Sequence, residues 1–400
     1  MRKTTFLLTL AVGLILPLSL SAQDAPAPAA PAEAAPAPAE AAPAPAEAAP
    51  AVAAPLTKSE LFAVLPKELC VTPDSFCVTP WGDLLLSCPN YADPTMPQVI
   101  LSISPENKIR LWGIFPVNPA YKISTEPGKM STLSGPMGME FGPDGNLYVA
   151  DNVGWYGDPL AGDPNFQNGR IVRILVKNQR PVGAEVVAYN FSHPNDIKIH
   201  DGWIYASHSL LAKEGDDGKT LVSAVYRFPL DAQNVKINNS VDDPQIVCLS
   251  RTTKLWYGID GICFGNDGEL YLGNFGDGTI EKVTFDQNGK ASLPEIFAQG
   301  PEMLTNDGMF YDSENGHIYV CDFSQNAMLD VDPQGKIRIL AKNPDSDGLD
   351  GSLDEPAGVI LRGKQLIISN FDNVPGPPHT NSGHDEHCTL SVINLEGIVK

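Results

Sequence analysis

Apolar and polar positions alternate in short bursts along most of this chain, and the bursts come in pairs. In LTNDGMFYDSENGHIYVCD (304–322) the runs GMFY and HIYV are apolar, aromatic and β-branched, the residue types that strands prefer. The intervening ENG is a tight-turn signal, because Asn-Gly tolerates positive φ. The stretch therefore predicts a β-hairpin with a short acidic loop in front of it.

The same unit recurs as GMEFGPDGNLYVAD (138–151), DIKIHDGWIYASH (196–208) and GICFGNDGELYLGN (261–274), with weaker copies at GVILRGKQLIISN (358–370) and SFCVTPWGDLLLSC (75–88). From the first copy to the sixth the starts are 63, 58, 65, 47 and 50 residues apart. That spacing fits a four-stranded propeller blade with variable loops. Further strand patterns follow each hairpin, among them QVILSIS (98–104), RIVRILV (170–176), SAVYRFPL (223–230), GTIEKVTF (278–285) and KIRILAK (336–342). No helical periodicity competes with them. The expected fold is all-β, a six-bladed β-propeller over residues 56–400. The last repeat ends soon after TLSVINL (389–395), one strand short, and LFAVL (61–65) is the segment expected to supply that strand and close the ring.

The remaining N-terminal residues read differently. Arg2 and Lys3 precede the apolar run Phe6–Leu20, and Leu20-Ser21-Ala22 suits a cleavage site. Residues 1–22 are expected to be a signal peptide, which makes the mature chain periplasmic or secreted; the alternative is an uncleaved anchor. No later apolar run is long enough to span a bilayer, so stable membrane insertion is not expected. Residues 23–55 are almost entirely Ala, Pro and Glu and predict a disordered linker. Without Arg2 and Lys3 the chain carries 25 basic against 48 acidic residues, a net charge of −23. Such a surface repels nucleic-acid phosphates and anionic lipid. Seven cysteines leave at least one unpaired. Cys70, Cys88 and Cys388 are expected near one rim, where one disulfide among them would be within reach, while Cys77, Cys263 and Cys321 fall inside strands as buried thiols.

The loops between the second and third strands are long in blade 2 (152–169), blade 3 (209–222) and blade 6 (371–387), and short in blades 4 and 5. They are expected to wall one face on one side and leave a cleft. Aligning the hairpins places one position just before each inner strand, occupied by Asp74, Met137, Asn195, Asp260, Asp307 and Ala357. Three carboxylates and an amide converging at the central channel would repel one another unless a cation sat between them. Hard oxygen donors suit Ca²⁺, with Mg²⁺, Mn²⁺ or Zn²⁺ as alternatives. Taken singly, each residue is better explained as a turn cap at the start of a strand.

With those motifs in place, PNDIKI (194–199), IDGICFGNDGELYLGN (259–274) and TNDGMFY (305–311) make the chain resemble the SMP-30/gluconolactonase/luciferin-regenerating family of six-bladed propellers. That family holds one divalent ion with residues of blades 1, 3, 4 and 5. The resemblance implies Asp74, Asn195, Asp260 and Asp307 as metal ligands and Asp307 as catalytic base. Two departures stand out. Blade 1 has Asp for the family's Glu, and blade 4 has Asp for its Asn. A third position, two residues before the blade-3 Asn, often holds a substrate-contacting Arg in the family and here holds His193. Substrate contacts are expected from His193, from His208 at the end of a second strand, and from Trp155 and Tyr257 in loops on the same side, with Tyr156 and Trp256 beside them. Asn274, Asp322 and Asn370 share the register of His208 and read as turn residues. The loop HTNSGHDEHC (379–388) clusters His379, His384 and His387 with Asp385 and Glu386, the makings of a second, transition-metal site or simply an exposed loop.

The leading expectation is a divalent-metal-dependent hydrolase acting on a small, uncharged lactone or similar ester. The alternative is a non-catalytic propeller that binds a sugar, peptide or protein partner and keeps a structural Ca²⁺.

Overall fold

Each hairpin of the repeat forms the inner half of a small antiparallel sheet. The computed structural model describes residues 56–93, 95–117, 134–152, 167–215, 218–255 and 257–398. An outer strand β1 (Glu60–Val64) comes first. The first full sheet is β2 (Phe76–Val78), β3 (Leu84–Cys88), β4 (Val99–Ile103) and β5 (Ile109–Ile114). The second is β6 (Pro136–Phe141), β7 (Leu147–Asp151), β8 (Gly169–Lys177) and β9 (Arg180–Phe191). The third is β10 (Pro194–His200), β11 (Trp203–Glu214), β12 (Thr220–Pro229) and, after the two-residue β13 (Val235–Lys236), β14 (Ile246–Thr252). The fourth is β15 (Ile259–Phe264), β16 (Leu270–Asn274), β17 (Thr279–Val283) and β18 (Glu295–Gln299). The fifth is β19 (Met309–Tyr311), β20 (Ile318–Asp322), β21 (Ala327–Val331) and β22 (Ile337–Lys342). The sixth is β23 (Pro356–Arg362), β24 (Gln365–Asn370) and β25 (Thr389–Asn394), with β1 antiparallel to β25 and Glu60 opposite Val392. The architecture is all-β, a six-bladed propeller. Among the described residues the helical content is one 3-10 turn, Phe323–Gln325.

Burial follows position within the sheet. All five residues of β3, β4, β7, β16, β20 and β21 are buried, because each blade is sandwiched between two neighbours and both faces of its middle strands are covered. The outer strands β1, β5 and β18 are mostly exposed or half-buried. The core is accordingly a set of apolar clusters between adjacent blades.

The glycine that opens four of the six hairpins has a specific job at the axis. A Cβ on Gly138 would lie 2.8 Å from Asn195 O, and one on Gly261 would lie 2.5 Å from Asp307 O. On Gly308 it would overlap Ala357 O, and on Gly358 it would overlap Asp74 O. In every case the obstacle is the backbone of the next inner strand. Only a bare Cα lets these strands crowd around the channel, and the last of the four contacts joins the sixth sheet to the first.

Several elements differ from expectation. The blade-3 segment 209–222 is largely an extension of β11 and β12, which pair from Ala212–Val222 out to Glu214–Thr220. β13 adds a parallel fifth strand to the second sheet, opposite Ala188 and Tyr189; two residues leave no periodic trace in a sequence. Residues 153–166 of the blade-2 loop, and with them Trp155 and Tyr156, lie outside the described residues, as does Trp256. Cys70, Cys88 and Cys388 share one core cluster, and all seven cysteines are buried free thiols, so no disulfide joins the three.

Candidate functional site

The residues just before the inner strands meet at the mouth of the central channel. Asp74, Met137, Asn195, Asp260 and Asp307 all line one cavity of about 240 Å³. Their backbones are fixed from the inner two strands of neighbouring hairpins. Ser207 Oγ donates to Asp260 O at 2.7 Å, Ser369 Oγ donates to Asp74 O, and the Gly261 amide donates to Asp307 O at 3.3 Å. Ala357 is buried in the apolar cluster beside this cavity.

Asp74 and Asp260 are buried and Asp307 is half-buried, and burial before all else raises the proton affinity of each. Burial, with a lesser push from nearby Asp196, lifts Asp74 to about 7, against a bond from Ser75 Oγ to its Oδ1 at 2.6 Å. Burial and then the charges of Asp74 and Asp196 hold Asp260 well above the ordinary carboxylate range. Burial followed by Asp260, Asp74 and Glu355 does the same to Asp307. Asn195 Nδ2 donates to Asp260 Oδ2 at 2.5 Å, which leaves the amide Oδ1 as its acceptor group. Among the described residues no Lys or Arg lines the cavity. Three acids drawn out of water with an amide beside them are a donor set that fits one hard divalent cation. The ring is wider than a closed coordination shell, since its carboxylate oxygens are not among those gathered within 4.8 Å of one another.

Above the acidic ring stands an aromatic collar. The ring centroids of His193 and Tyr257 are 4.9 Å apart, Tyr257 and Phe275 5.9 Å, Phe275 and Phe323 5.9 Å, Phe323 and Phe371 5.6 Å, and Phe371 and Tyr91 6.2 Å. The circuit closes through Asn152: Tyr91 Oη donates to Asn152 O at 2.9 Å, and Asn152 Nδ2 lies 3.2 Å from His193 Nε2. Val374, Pro378 and His379 of the blade-6 segment continue the wall, with His379 Nδ1 2.9 Å from Ser324 Oγ. Burial depresses His193 to about 3, so its imidazole is neutral. Tyr257 sits at φ 70°, a left-handed backbone that turns its ring into the cavity.

His208 takes no part in this lining. It is 0% exposed, packed 5.3 Å from the Phe191 ring, and its Nε2 accepts the Ser192 amide at 3.1 Å. Its register explains why. The residue ending the second strand pins the loop that leads into its own blade: Asp151 accepts from Gly135 N, Asp322 from Leu304 N and Thr305 N, and Asn370 from Asp354 N. The position that faces the cavity is the next one along, and there Asn152, Phe275, Phe323 and Phe371 sit. Sequence reasoning stopped one residue short of them, although the same hairpin alignment holds the signal. The three loop histidines do not converge either. His379 joins the collar, and His384 Nδ1 bonds Asp372 O at 2.6 Å. Among the described residues, the ligand-type side chains gathered in that region are Asp354, Asp372 and Asp385.

Fold and site together define a six-bladed propeller with an acid-floored, aromatic-collared cavity at one end of its channel. The chain belongs to the SMP-30/gluconolactonase/LRE-like family, whose model matches residues 118–345. It is 27% identical over 154 residues to the cell growth-regulated gene 1 protein of Candida albicans, a match that takes in 34% of this chain and 39% of that protein. The chain thus spans about two fifths of the length of the curated relative it matches. Among solved structures, it is similar to the luciferin-regenerating enzyme, with a TM-score of 0.50 and 13% identity over 86% of this chain and 97% of that one. It is also similar to a structural-genomics target assigned as a gluconolactonase, with a TM-score of 0.50 and 12% identity over 84% and 92%. A Thermus thermophilus protein assigned as a glucose dehydrogenase gives a TM-score of 0.50 at 14% identity over 84% and 100%. At these identities the likeness is one of fold.

Proposed function

We propose that this protein hydrolyses a small uncharged lactone or similar ester in the collared cavity, using one divalent cation, Ca²⁺ first among the choices. The observation that carries the reading is the convergence of Asp74, Asn195, Asp260 and Asp307 on the floor of a cavity whose upper wall is aromatic. Those four side chains would hold the cation, which when bound supplies Lewis acidity to a carbonyl oxygen. The rest falls to the chain. The collar of Tyr257, Phe275, Phe323 and Phe371 excludes water and stacks on a flat ring. Among the described residues the lining holds no Lys or Arg and His193 is neutral, which favours an uncharged substrate over an anionic one. Asp307 accepts a proton from the attacking water as its oxygen bonds the carbonyl carbon. The ring C–O bond then breaks, and the proton passes from Asp307 to the leaving alkoxide. One carboxylate thus serves both halves of the transfer.

The test compares two variants on a panel of lactones with Ca²⁺ added after chelation. Asp307→Asn keeps volume and one ligand oxygen, so metal binding should persist while kcat falls at least about 100-fold. Asp74→Asn should weaken cation affinity, with rate restored by excess ion. Normal turnover by Asp307→Asn at saturating metal removes the catalytic assignment. A wild-type chain that binds Ca²⁺ and a lactone without turnover is the binding module instead.

A further inference from the structure

Away from the channel mouth, under the 371–388 segment, one oxygen each from Asp354, Asp372 and Asp385 lies within 4.8 Å of the other two. Asp354 is 2% exposed and Asp372 is 1% exposed, and Asp385 is half-buried at the rim. Their surroundings are acidic as well: Glu355 follows in the chain, and Asp345 and Asp347 act on Asp385 from the neighbouring loop. The basic group at the cluster is His384, whose Nδ1 is 3.3 Å from Asp372 Oδ2. Asp372 is otherwise well supplied, accepting from Asn381 Nδ2 at 3.2 Å and from the Asp385 amide at 2.7 Å.

Asp354 is not supplied. Its Oδ1 is fully buried and receives no hydrogen bond, and the carboxylate it belongs to faces two others. A carboxylate oxygen removed from water without a donor is among the least tolerated groups in a protein interior unless a cation meets it. Two oxygens bound on opposite sides of one Ca²⁺, each 2.3–2.6 Å away, are at most about 5 Å apart, so the spacing of the three oxygens matches that ion.

We propose that Asp354, Asp372 and Asp385 form a second divalent-cation site of Ca²⁺ type that staples the 371–388 segment to the last sheet. The donors come from both sides of that junction: Asp354 precedes β23, and Asp372 and Asp385 lie near the two ends of the segment. Glu355 reinforces the same joint, its Oε2 accepting from the Asn373 and Val374 amides at 2.8 and 2.9 Å. Because Phe371, Val374, Pro378 and His379 of this segment line the collared cavity, a cation here fixes one wall of the cavity without touching its floor. The donors are all oxygen, so the site is one for a hard cation and not for the transition metal that the loop histidines suggest.

The experiment uses the full chain, stripped with chelator and titrated with Ca²⁺ alone. An Asp260→Ala/Asp307→Ala background removes two oxygen donors of the channel ring outright, so that what remains belongs to the second site. That background should bind one Ca²⁺ per chain by calorimetry, and Ca²⁺ should slow hydrogen exchange of amides in 371–388. Adding Asp354→Asn should abolish both effects, and without Ca²⁺ it should raise the melting temperature, since an unpartnered buried acid is gone. A background that binds no Ca²⁺, or an Asp354→Asn chain that binds like its parent, overturns the site. Asp385→Asn at the rim guards against misfolding of the multiple variant: in the otherwise unchanged chain it should remove one bound Ca²⁺, and unchanged stoichiometry there overturns the site equally.

Discussion

Replacing Gly358 with alanine puts a methyl group where the sixth sheet meets the first. The added carbon would overlap Asp74 O, with Ser369 Oγ at 2.9 Å and Ser75 Cα at 3.1 Å. None of the three can swing aside as a flexible chain end would: Asp74 O and Ser75 Cα are backbone, and Ser369 Oγ is itself bonded to Asp74 O. The inner strands must separate, and forcing an extra methyl into a packed site costs about 1–3 kcal/mol. Against this stands the entropy gain of any Gly→Ala change, about 0.4–1 kcal/mol. Gly183 isolates that gain, because a Cβ there meets only Leu175 Cδ1 at 3.6 Å, an ordinary contact. Calorimetric unfolding of the two variants is therefore expected to diverge. Gly183→Ala should melt at or slightly above wild type, and Gly358→Ala should melt several degrees below it. Since Asp74 moves with its carbonyl, Gly358→Ala should also bind the cation proposed for the channel more weakly than Gly183→Ala. Equal melting shifts in the two variants would refute the claim that glycine is there to let inner strands touch.

Two further outcomes follow from other parts of the chain. Burial lowers His208 to about 3 from 6.5, so below pH 6.5 the unfolded chain takes up a proton that the native chain refuses, and stability falls with pH down to about 3 by at most about 1.4 kcal/mol per unit. His208→Gln should flatten that part of the curve relative to wild type, as read by denaturant midpoints at pH 7 and pH 5; parallel curves would show that His208 titrates normally. If residues 1–22 direct export and are cleaved, the intact mass of chain recovered from the periplasm or medium should correspond to a start at Gln23, whereas a full-length mass would favour the anchor.

The fold was legible because its information is local and repeated. GMFY-ENG-HIYV and its copies carry strand chemistry and a turn within fifteen residues or so, with an axial glycine in four of the six. The channel ring was legible for the same reason: one register position in six hairpins gives Asp74, Asn195, Asp260 and Asp307. What escaped had no repeat to announce it. Phe275, Phe323 and Phe371 stand one residue beyond the position that draws attention for its polarity, and apolar residues after a strand look like core. The Asp354 cluster joins residues from both ends of an insertion, and only the folded segment brings them together. In the same segment the histidines were conspicuous by type, yet His379 turns its Nδ1 to Ser324 Oγ and His384 its Nδ1 to Asp372 O.

These two kinds of information have different mechanical consequences. The channel floor is built by inner strands that lock one another through backbone contacts, so its geometry is a property of the whole ring and changes only if a junction opens. The collar is not built that way. Its Phe275 and Phe323 are held by short turns, while Phe371 and the wall beyond it ride on a segment whose joint to the fold is a run of buried acids, including the left-handed Glu355 at φ 50°. Carboxylates pressed together are a weak joint alone and a strong one around a cation. If floor and joint each hold a cation as proposed, the floor stays rigid while the access to it depends on the second ion, and substrate affinity would then respond to Ca²⁺ through the wall even at a concentration that already saturates the floor.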